Sequence, residues 1–109
     1  MITVLAVGDR SRAGELDEAA ARKPSLELLH AEDVEEVLDR LARNRRIDAV
    51  LLLVGPEAAR EIAETVLDED PGAPPIFLPA PGAPVSRVRS LAPGTPEELL
   101  ESVVRALTA

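Results

Sequence analysis

The chain has 109 residues and a formal net charge of −8, with 46% hydrophobic, 29% charged and 1% aromatic residues. That length and balance suit one compact soluble domain, and the acidic excess argues against nucleic acid or an anionic membrane as a partner. Phe77 is the single aromatic residue and cysteine is absent, which excludes base-stacking platforms, disulfides, thiolate metal sites and a cysteine nucleophile. The apolar run at 49–54 is too short to cross a bilayer, and the start of the chain lacks the basic stretch and apolar core of a secretion signal. A cytoplasmic location is the expectation.

Ile2 to Val7 is short, apolar and rich in β-branched residues, and Gly8 and Asp9 punctuate it. It reads as a buried strand ending at a turn. Ser11 to Lys23 is Ala/Glu/Arg-rich, with a weak stripe of Ala13, Leu16 and Ala20, and Pro24 stops it as a helix. Ser25 to Leu29 reads as a second strand. Asp33 stands three residues before Glu36, the spacing of a capping box, and Val34, Val37, Leu38 and Leu41 follow as one buried helical face.

Ile47 to Val54 is continuously apolar after Asp48 and closes at Gly55-Pro56. Unbroken apolarity predicts a strand covered on both faces, as in a parallel sheet. Pro56 suits the first turn of the next helix, whose apolar side is Ala59, Ile62, Ala63, Val66 and Leu67. Eight of the ten prolines fall between Pro71 and Pro96, which leaves room for two short strands, Pro75 to Leu78 and Ser86 or Val88 to Leu91, but no long helix. Thr95, Pro96 and Glu98 announce the last helix, with Leu100, Val103, Val104 and Leu107 as its stripe. Alternating strands and helices predict an open α/β sheet with right-handed crossovers.

With IDAVLLLV as third strand, PPIFLPA as fourth and SLAPGTPEELLESVVRAL at the end, the chain resembles the receiver domain of bacterial response regulators. The resemblance covers nearly the whole length as a single domain, residues 1–109. It implies a flavodoxin-like parallel sheet of five strands in the order 2-1-3-4-5 with helices on both faces. It also implies a phosphoacceptor aspartate ending the third strand, an acid pair holding Mg²⁺ at the end of the first, a Thr or Ser on the fourth and a Lys on the fifth. Those positions fall here on Leu53, on Gly8 and Asp9, on Pro79 and on Ala92. A phosphoryl dianion beside carboxylates needs a divalent cation and a fixed ammonium, and this chain lacks that set. The switch aromatic of the family falls on Arg89. Between Pro79 and Ala92 there is too little chain, with Pro81 and Pro84 inside it, for the family's fourth helix. The resemblance is thus to a degenerate, or pseudo-, receiver. The family often has a cis bond where Ala92-Pro93 stands, and a cis form is expected here.

Single residues carry bland readings beside functional ones. Asp9 reads as a turn or capping residue rather than a lone metal ligand, because a hard cation wants several oxygens. Asp48 lies at the strand end opposite the expected site and reads as an edge residue. His30, the only histidine, falls just after the second strand without a catalytic constellation around it. The turn from Gly8 to Ser11 matches no phosphate-binding loop. Arg40, Arg43, Arg45 and Arg46 suit a helix C-terminus, with a docking patch for an acidic partner as the alternative.

The expected function is therefore a non-catalytic, phosphorylation-independent protein–protein interaction module of bacterial signalling, with neither cofactor nor metal. The alternative is a small-ligand or nucleotide-binding flavodoxin-like domain using the carboxyl edge of the sheet; an enzyme has the least support. Loss of the fourth helix is expected to bare apolar residues near strands four and five, Phe77 or Leu78 and Val88 or Leu91. A second copy, a protein partner or the Pro-rich loop folding back would then close that face, and docking is expected through strands four and five and the last helix, with Arg87 and Arg89 at the rim.

Overall fold

In the computed structural model, the structure describes residues 2–8, 13–44, 46–79 and 88–108. The elements run β1 (Ile2–Gly8), α1 (Ala13–Ala21), β2 (Leu26–Ala31), α2 (Val34–Arg43), β3 (Ala49–Leu53), α3 (Pro56–Glu69), β4 (Ile76–Leu78), β5 (Val88–Ser90) and α4 (Pro96–Thr108). The five strands form one parallel sheet in the order β2-β1-β3-β4-β5, as the sequence predicts. A sheet of this kind buries its central strands on both faces: all five residues of β3 are buried, as are Thr3 to Val7 of β1.

Side-chain alternation divides the core in two. Leu5, Val7, Val50, Leu52, Ile76, Leu78 and Val88 face α2 and α3, meeting Val37, Leu41, Ala59, Ile62 and Val66. Val4, Ala6, Leu51, Leu53 and Phe77 face α1 and α4, meeting Leu16, Ala19, Leu99, Leu100 and Val103. The period-2 pleat sends neighbouring residues to opposite layers, so β1 to β4 each bind both pairs of helices to one sheet.

The helix ends follow their sequence signals. Asp33 accepts from the Glu36 N–H at 2.9 Å and caps α2. At α4 the capping box is reciprocal: the Glu98 N–H donates to Thr95 Oγ1 at 3.2 Å, and Glu98 Oε1 accepts from the Thr95 N–H at 3.5 Å and from its hydroxyl at 3.1 Å. Pro56 lies in the first turn of α3, where a missing N–H loses no helical bond.

Three expectations need correction. The second strand ends at Ala31 instead of Leu29, because His30 and Ala31 pair with Ala6 and Val7; His30 is therefore within β2. The Ala92-Pro93 bond is trans, in keeping with the small intrinsic preference that separates the two forms at an X-Pro bond. The apolar residues expected to lie bare near β4 and β5 are buried: Phe77 is 0% exposed, Leu78 2% and Val88 4%. α4 supplies the cover for Phe77. The expectation of a non-helical stretch from Pro79 to Pro84 falls, past Pro79, outside the described residues. Four helices occur among those that are described.

Candidate functional site

In a parallel α/β sheet the loops beyond the strands' carboxyl ends form the usual ligand edge. Here Gly8 ends β1, Leu53 ends β3, Pro79 directly follows β4 and Ala92 lies two residues past β5. Because the strands are parallel, these four positions share one edge. Asp9, the fifth, lies outside the described residues.

Gly8 and Leu53 are partners in the β1–β3 register, and their contact is unusually close. A Cβ added at Gly8 would stand 2.7 Å from the Leu53 carbonyl oxygen and 3.2 Å from its Cβ. Such a contact is too short for any side chain without movement of the backbone. The first position of the receiver-like acid pair is thus closed to a carboxylate in this arrangement. The Leu53 side chain is 9% exposed and packs in the layer beneath α1 and α4. The aliphatic Leu53 side chain, at the position expected for an acceptor, fills the core and has no nucleophilic atom to offer. Pro79 is half-buried and Ala92 exposed; neither side chain carries a donor for an anion. Among the described residues, no three His, Asp or Glu side chains converge as metal ligands.

The other singled-out residues have structural partners. Asp48, at the amino edge, accepts from the Thr3 N–H through Oδ2 at 2.8 Å, while its own N–H donates to the Thr3 carbonyl at 2.7 Å. This exchange prolongs the β1–β3 ladder by a side chain. His30 Nε2 lies 2.8 Å from Asp17 Oδ1, joining β2 to α1. Arg40 and Arg43 sit in the last turn of α2, where cations suit the helix dipole, and Arg43 pairs with Asp39 at 2.9 Å. Arg46 is exposed, and Arg45 lies outside the described residues.

Of the four residues read as an interaction face, Phe77 is sealed inside the molecule. Arg89, exposed on the edge strand, places its guanidinium carbon 6.0 Å from the Phe77 ring centroid, within reach of a weak cation–π attraction. Leu91 is half-buried against the α1–α4 layer, and Arg87 lies outside the described residues. Sequence reading missed a groove of about 510 Å³ at the carboxyl edge, between the start of α2 and residues 58–65 of α3. Its signal was present but weak: Val54 and Ala58 flank the strand-to-helix turn, and Glu61 and Glu64 follow at helical spacing.

No protein-family model matches the sequence, and no curated protein does either. Solved structures do match in fold. The chemotaxis response regulator CheY4 of Vibrio cholerae superposes with a TM-score of 0.70 at 20% identity, over 96% of this chain and 98% of that one. A chain from the complex of histidine kinase ThkA with response regulator TrrA gives 0.72 at 19% identity over 100% of both. One from the complex of the phosphorylated P1 domain of CheA3 with CheY6 from R. sphaeroides gives 0.63 at 21%, over 99% of this chain and 98% of that one. The chain thus has the five-stranded, flavodoxin-like fold of CheY-like receiver domains, shared across almost its full length.

Proposed function

We propose that the chain is a pseudo-receiver: a non-catalytic module of bacterial signalling that binds protein partners without being phosphorylated. The observation that carries this reading is the Gly8–Leu53 contact. It fills the acceptor position with a core leucine and leaves no space for a side chain at the neighbouring acid position. Receiver-fold structures matched here include complexes with a histidine kinase and with a CheA3 P1 domain, which supports protein binding as the use of this scaffold. A small-ligand role at the carboxyl edge has less behind it, because the groove there carries Asp33, Glu61 and Glu64, whose charges oppose a nucleotide's phosphates. Docking through the β4–β5 side loses its apolar premise, since Phe77, Leu78 and Val88 are buried.

The test is affinity isolation on the purified chain, followed by titration of the recovered partner with and without acetyl phosphate and Mg²⁺. The expected result is one saturable partner whose Kd is the same in both conditions. A partner bound only after phosphodonor treatment, or an enzymatic turnover by the chain alone, would contradict the reading.

A further inference from the structure

The groove between α2 and α3 combines concavity, apolar lining and one sign of charge among its described residues. Val34 and Val54 are half-buried in it, and Ala58 is exposed. The two valines stand at the outer margin of the core layer that α2 and α3 cover. Glu61 and Glu64 on α3 and Glu32 and Asp33 before α2 supply the rim, and among the described residues lining it none is basic. Asp33 accepts the Glu36 N–H, and Arg60 donates to Glu64 at 3.0 Å. The described charged residues that line the groove are all acidic, in a chain whose overall balance is −8.

We propose that this groove docks a basic amphipathic helix of a protein partner. The inference rests on the interaction-module reading and deepens it by naming the surface and the chemistry of what binds. A helix laid in such a groove presents apolar side chains at i, i+3 and i+4 to the valines and Ala58. Its flanking Lys or Arg groups then meet the carboxylates of the rim. Charge complementarity of this kind speeds encounter and selects against acidic partners. It also rejects a nucleotide or phosphate, which the same carboxylates repel.

The test uses isotope-labelled chain titrated with a synthetic Leu/Lys amphipathic peptide, followed by two-dimensional NMR. A Leu/Glu peptide and a Lys-matched scrambled peptide serve as controls. The proposal expects saturable shifts centred on Val34, Val54 and Ala58 with the Leu/Lys peptide alone, weakened about tenfold in Glu61→Gln/Glu64→Gln. Ala58→Arg, at an exposed helical position that keeps the fold, should abolish binding by filling the groove and adding a like charge. Shifts scattered over other acidic surfaces, equal binding of the scrambled peptide, or no saturable binding would overturn the groove. The wider reading fails separately, when the unmodified chain retains no protein partner on isolation. A natural partner that binds Ala58→Arg as tightly as the parent rejects the groove while leaving the module reading intact.

Discussion

A carboxylate at position 8 would project from a Cβ placed 2.7 Å from the Leu53 carbonyl oxygen. Gly8→Asp is therefore expected to shift the β1 or β3 backbone and lower stability by about 1–3 kcal/mol, read by urea unfolding. An unchanged midpoint would mean that this edge relaxes freely and that the acid pair can be rebuilt. Asp48 acts at the other end of the same two strands. Removing its side chain leaves the part-buried Thr3 N–H without its 2.8 Å acceptor, so Asp48→Ala should cost about 1–2 kcal/mol. Asp48→Asn, which keeps an acceptor oxygen, should retain most of that stability; equal loss in both variants would assign the effect to charge instead. The edge position of Asp48 was legible in the sequence, because it precedes an apolar run. Its bond to Thr3 was not, since the partner is 45 residues away and only the strand register brings the two together.

At the scale of elements, propensity and punctuation located the strands and helices well, because caps, prolines and apolar periods are local. The Asp33 N-cap bond, the reciprocal capping box at Thr95 and the proline in the first turn of α3 all form where their spacing predicts. What stayed illegible was the facing of β4. In Ile76-Phe77-Leu78 every residue is apolar, so no polar alternation distinguishes its two sides. The register settles it: Phe77 faces α4, while Ile76 and Leu78 face α2 and α3. Phe77 is consequently a core residue wedged among Leu99, Leu100 and Val103 instead of an interface anchor. Phe77→Ala should destabilise by about 3–5 kcal/mol through lost burial and the cavity left behind. A loss below 1 kcal/mol, with a partner interaction abolished, would return Phe77 to a binding surface.

At the scale of the molecule, a receiver-like fold carries Gly8, Leu53, Pro79 and Ala92 at its carboxyl edge, an edge that on the pseudo-receiver reading is without phosphoryl chemistry. The order of strands was readable because β-α alternation and right-handed crossovers leave few arrangements open. The groove was not, because it forms between the α2 cap and residues 58–65 of α3, and no single segment of sequence contains both walls. The same reasoning joins fold to function: a rigid parallel sheet fixes the carboxyl edge, and the side chains there decide whether that edge transfers a group or presents a surface. The central claim is that this edge is chemically silent. It is tested most directly by the intact mass of the purified chain after incubation with acetyl phosphate and Mg²⁺. The account predicts an unchanged mass; one added phosphoryl group, mapped to any aspartate, would contradict it.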